Sequence, residues 1–79
     1  METLGQFLKR EREFRGISLE DLSGKTKISR SYLKNIESDQ FASLPKGVFL
    51  RGFLKSYAQG IGLDVQDILS RISLLTSAS

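Results

Sequence analysis

The sequence predicts an all-α fold of five short helices in one small domain, and three observations carry that prediction. Seventy-nine residues with 39% hydrophobic content suffice for a single modest core and not for two. Apolar residues recur at helical spacing in several stretches, whereas no run alternates apolar and polar residues between turn signals as a half-buried strand would. Residues suited to starting and stopping helices punctuate the chain: Thr3, Ser18, Ser29 and Asp64 can cap N-termini, while Gly16 and Gly62 suit helix ends.

Taken in order, Thr3 followed by Gln6 reads as a capping box, and Leu4, Phe7, Leu8, Glu11 and Phe14 keep helical spacing, so the first helix is expected from Leu4 to Arg15. Ser18 and Asp21 repeat the cap ahead of a short second helix ending near Thr26, with Leu19 and Leu22 pointing inward and Ile28 plugging the turn that follows. Ser29 caps the third helix, which turns Tyr32, Leu33 and Ile36 to the core and leaves Arg30, Ser31, Lys34, Asn35 and Ser38 facing out. Ser38 to Leu44 reads as a loop pinned by Phe41 and Leu44. Pro45 suits a first helical position, where its missing N–H has no partner to lose, so the fourth helix is expected at about 45–60. Asp64 caps a fifth at about 64–72, with Val65, Ile68, Leu69 and Ile72 at helical spacing. The domain is expected to occupy residues 1–72, with 73–79 as a tail that begins a linker.

Composition narrows the function. Without cysteine, neither disulfides nor thiolate metal sites can staple the chain, so helix packing must hold it, and a reducing compartment such as the cytosol fits. No stretch approaches the ~18 apolar residues of a membrane span, and METLGQFLKREREFR lacks the apolar centre of a secretory signal, so a soluble chain is expected. There is no histidine for general base work, no cysteine nucleophile, and the carboxylates are scattered over exposed helix faces, so neither catalysis nor a metal or cofactor is expected. A net charge of +3 and a pI near 9.5 suit an acidic partner, whether nucleic acid, an acidic protein or anionic lipid. The same charges, interleaved with Glu and Asp, also fit a plain solvated surface.

Two segments stand out. Ile17 to Glu37, ISLEDLSGKTKISRSYLKNIE, has a short capped helix, a brief break and a second helix with a basic, polar outer face, which is the layout of a helix-turn-helix at about 17–37. An ordinary helical hairpin would share it. In a DNA-reading version, Arg30, Ser31, Lys34 and Asn35 would meet phosphates or base edges. On the fourth helix, an apolar arc of roughly 180° exceeds the ~100° stripe that one packing contact needs. Leu50, Leu54, Ala58 and Ile61 are the better core candidates, and Phe49, Phe53 and Tyr57 form the edge expected to stay at the surface. Small residues Gly52, Ser56 and Gly60 would admit a partner beside that edge, and Lys46, Arg51 and Lys55 add positive charge, as in protein–protein hot spots. Alternatively, the fifth helix folds over those rings and buries them.

The segments TKISRSYLKNIE and LPKGVFLRGFLKSYAQGIGLD resemble the N-terminal cytoplasmic domain of the RodZ family of bacterial cell-shape proteins, across residues 4 to 69. The first would fit many members of the broad Xre-type, lambda-repressor-like helix-turn-helix class. Leu44-Pro45, Arg51-Gly52-Phe53, Tyr57-Ala58 and Gly62-Leu63-Asp64 are more specific. The resemblance implies a five-helix adaptor domain that docks onto the actin-like filament protein MreB at the inner face of the bacterial membrane, with docking aromatics falling on Phe53 and Tyr57. It also implies a longer parent protein with a membrane span. Leu19 stands where DNA-binding relatives often carry a glutamine that clamps the backbone, and Lys27 replaces the usual turn glycine. Both departures disfavour DNA reading without excluding it, and a sequence-specific DNA-binding regulator of the Xre type remains the alternative.

Overall fold

The computed structural model describes residues 2–43, 49–68 and 70, and all regular structure among them is helical. Helices α1 (Leu4–Phe14), α2 (Leu19–Thr26) and α3 (Arg30–Glu37) are followed by a 3-10 turn (Phe41–Ser43) and α4 (Phe49–Ile61). A fifth segment, α5, is helical at 65–68 and 70. Leu44, Pro45, Lys46, Leu69, Ile72 and the tail 73–79 lie outside the described residues, as does the side chain of Phe49. The loop expected over Ser38 to Leu44 therefore contains a helical turn, and Phe41 packs half-buried against the core as expected.

Local capping chemistry sets the helix boundaries. Thr3 Oγ1 accepts from the Gln6 N–H at 3.1 Å while Gln6 Oε1 accepts from the Thr3 N–H at 2.9 Å, the reciprocal capping box the sequence predicted. Ser18 and Ser29 accept from Asp21 N–H and Tyr32 N–H at 3.0 and 3.2 Å. α1 closes through left-handed Gly16, with Ile17 N–H donating to Arg12 O, and α4 through left-handed Gly62, with Leu63 N–H donating to Ala58 O. α3 ends the same way on a residue other than glycine. Asp39 takes φ 61°, its N–H donates to Ile36 O, and Gln40 N–H donates to Asn35 O. Aspartate tolerates this region better than most residues. From there its carboxylate accepts from Gly5 N–H at 2.9 Å and from the Thr3 hydroxyl, which sets a negative charge against the N-terminus of α1.

α1 packs on α3, and α2 packs on both α3 and α4. Leu4, Phe7, Leu8, Leu22, Ile28, Leu33, Ile36, Leu54, Ala58, Ile61 and Ile68 are buried, all of them at positions where spacing predicted an inward or turn-plugging residue. Gly5 lets α1 approach α3 closely: a Cβ there would sit 2.5 Å from Ile36 O and 2.6 Å from Glu37 O. Phe14 corrects the expectation of an inward residue, being 85% exposed. The core-facing place one turn after Leu8 belongs to Arg12, and the chain leaves the helix immediately after Phe14.

Candidate docking surface

The largest departure from the sequence reading is Tyr57. Expected at the surface edge of α4, it is fully buried. α4 is covered by α2 and by α1 together, so two neighbours bury an arc wider than one contact would. Tyr57 closes a buried polar network across three helices. Arg12 donates to both carboxylate oxygens of Glu37, Nε to Oε2 at 2.7 Å and Nη2 to Oε1 at 3.1 Å, and donates through Nη1 to Ile17 O at 2.7 Å. The Tyr57 hydroxyl donates to Glu37 Oε2 and lies 3.3 Å from Leu8 O. Burial, then the hydrogen bond and charge of Glu37, push the phenol well above its ordinary value, while the hydrogen bond to Glu37 raises the Arg12 guanidinium further. The sequence reading missed both charged members. The available signal was spacing: Arg12 follows Leu8 by four, and Glu37 follows Leu33 by four.

With Tyr57 inside, the outer strip of α4 runs along exposed Gly52 and Gln59 and half-buried Ser56, with exposed Arg51 and Lys55 on one border and half-buried Phe53 on the other. The Phe53 ring stacks on Tyr32 of α3, centroids 5.8 Å apart and planes 30° apart. Gly52 has nothing within 4 Å of a Cβ built on it, so its smallness serves no contact among the described residues. Gly60 differs: a Cβ would meet Leu22 Cδ1 at 2.6 Å and Thr26 Cγ2 at 3.0 Å. It belongs to the packing of α2 on α4, which corrects its assignment as a place for a partner to approach. Lys25, Thr26, Ser56, Gln59 and Gly60 line a polar groove beside the strip.

The outer face of α3 is the other candidate. Arg30, Ser31 and Lys34 are exposed as expected, whereas Asn35 is half-buried. Arg30, Ser31 and Lys34 share a shallow groove with Leu19 and Glu20. Glu20 and Asp21 occupy the first turn of α2, where they complement the helix dipole. In a helix-turn-helix complex that helix crosses the phosphate backbone, so these carboxylates would face like charge. Lys27, standing where a turn glycine is usual, adopts φ 64°. The turn geometry is therefore kept with a strained residue.

Charge separates the faces further. α4 carries no acidic residue, so Arg51 and Lys55 make its exposed face uniformly cationic, whereas Arg30 and Lys34 on α3 share their groove with Glu20 of α2.

Comparison with known proteins agrees with this architecture. A family model described as a helix-turn-helix domain matches residues 7–68. The chain is 40% identical over 68 residues to the cytoskeleton protein RodZ of Streptococcus pneumoniae (strain ATCC BAA-255 / R6), a match covering 86% of this chain and 25% of that protein. It is 36% identical over 52 residues to the uncharacterised membrane protein YmfM of Bacillus subtilis (strain 168), covering 66% of this chain and 18% of that one. It thus spans a quarter or less of the length of either relative. The solved structure of YmfM from Staphylococcus aureus, a membrane protein proposed to bind DNA, superposes with a TM-score of 0.81 at 32% identity, covering 87% of this chain and 84% of that one. Fold, capping pattern and family match together show that the chain belongs to the helix-turn-helix domain family, as a relative of RodZ and YmfM.

Proposed function

We propose that this domain is a non-catalytic adaptor of a RodZ-like cell-shape protein, which docks onto the actin-like filament protein MreB at the cytoplasmic face of the bacterial inner membrane. The docking face is the outer strip of α4: Phe53 and Gly52, flanked by Arg51 and Lys55, with Lys46 and Phe49 assigned to it from the sequence alone. Tyr57 contributes from beneath by holding α4 to α1 and α3. The observation that carries this reading is Gly52, an open glycine on the outer strip of α4 beside a half-buried aromatic ring. Glycine there costs the helix about 1 kcal/mol relative to alanine, and close approach of a partner is what its small size permits. The likeness to a cytoskeleton protein supports the same choice. No helix among the described residues is long and apolar enough to cross a membrane; in this reading residues 73–79 begin a linker.

The test is co-sedimentation with polymerised MreB. Phe53→Ala is expected to weaken binding by about 2 kcal/mol, as a central aromatic anchor does, while Arg30→Glu/Lys34→Glu changes it little. Loss confined to the α3 variant would move the contact to the other face.

DNA binding is the second reading, favoured by exposed Arg30, Ser31 and Lys34 and by the likeness to the S. aureus YmfM structure. With carboxylates at the start of α2, binding is expected to be sequence-independent, salt-sensitive and of the order of 10⁻⁴–10⁻⁶ M. A nanomolar footprint on a palindromic site at physiological salt would reverse the ranking.

A further inference from the structure

Resting on the docking reading above, we infer that Tyr32 of α3 is a second anchor of the same surface, and that the Tyr32–Phe53 stack enters an apolar cleft on an acidic protein surface as one unit. Three observations lead there. The two rings are stacked with centroids 5.8 Å apart, so any group that covers Phe53 meets the edge of Tyr32. Tyr32 is half-buried, and its hydroxyl has no hydrogen-bond partner among the described residues, unlike that of Tyr57, which is bonded inside the core. A tyrosine with an apolar body against its own fold and a polar tip left over is the kind of residue that interfaces employ. The exposed charges of α4, which supplies Phe53, are Arg51 and Lys55, with no acid on that helix, so the complementary surface is acidic. Pre-stacking also holds the Phe53 ring in place before the partner arrives, so less side-chain freedom is lost on binding.

The experiment is a double-mutant cycle read by co-sedimentation with polymerised MreB, using Phe53→Ala, Tyr32→Ala and the double variant, with thermal melts confirming the fold of each. Each single change is expected to weaken binding about tenfold or more, and the double variant to lose clearly less than the product of the two, because the rings act together. Should Tyr32→Ala fail to melt cooperatively, Tyr32→Leu keeps apolar bulk at the site and the same outcomes apply. Binding by the Tyr32 variants within about twofold of native, with Phe53→Ala impaired, would overturn the role of Tyr32 and leave the α4 reading standing. Multiplicative losses would overturn the coupled unit. Native binding by every variant would overturn both readings.

Discussion

Removing one oxygen atom from Tyr57 tests how α1, α3 and α4 are tied together. Tyr57→Phe keeps the ring and its burial and deletes the hydroxyl that donates to Glu37. Hydrogen bonds to charged groups contribute about 1.5–3 kcal/mol, and here the acceptor is a carboxylate that cannot reach water. In a domain of this size each kcal/mol moves the melting temperature by about 4–8 °C, so a fall of roughly 10 °C is expected by circular dichroism. Arg12→Met is harsher. It leaves the Glu37 carboxyl buried with Tyr57 as its remaining side-chain donor, and breaking such a pair costs about 3–5 kcal/mol. Replacing both, as Arg12→Met/Glu37→Leu, removes the stranded carboxyl and is expected to be more stable than Arg12→Met alone. A Tyr57→Phe domain that melts with the native one, or an Arg12→Met domain as stable as native, would refute the network as a structural tie.

The same phenol makes an alkaline signature. Its pKa is raised in the folded state, so its contribution is fully present below about pH 10, the unfolded value, and is lost above it at about 1.4 kcal/mol per pH unit; denaturant midpoints measured from pH 9 to 12 should fall less steeply in Tyr57→Phe. Gly5→Ala drives a Cβ against two backbone carbonyls, Ile36 O and Glu37 O, and is expected to destabilise by about 2 kcal/mol or more in urea unfolding. Lys27→Gly relieves a left-handed residue and is expected to raise stability by about 0.5–1 kcal/mol on the same titration.

How far the sequence carries depends on how local the signal is. The caps at Thr3, Ser18 and Ser29 are interactions over three residues, and each formed as read. The helical core positions likewise follow from spacing alone. What spacing cannot convey is how many neighbours a helix has. α4 packs on α2 and α1, so its buried arc is wide enough to include Tyr57, and the surface edge narrows to Phe53. Charged residues pose the converse difficulty. Arg12 and Glu37 sit on core-facing positions, yet each is buried because the other is there, and that pairing spans 25 residues. Glycine is ambiguous for the same reason: Gly60 and Gly52 lie on one helix, and only the packing of α2 tells the close contact from the open one.

The central claim is that the outer strip of α4 is a docking face, and Gly52→Gln tests it without the ambiguity of cutting away an aromatic ring. Nothing lies within 4 Å of a Cβ at Gly52 or at Gly24 of α2, so glutamine at either site adds helix propensity and is expected to stabilise the isolated domain by about 0.5–1 kcal/mol. Binding should separate the two. Gly52→Gln is expected to raise the melting temperature and lose co-sedimentation with polymerised MreB, whereas Gly24→Gln raises the melting temperature and binds as native. A Gly52→Gln domain that is more stable and still pellets with the filament at native affinity would contradict the assignment of α4 as the docking face.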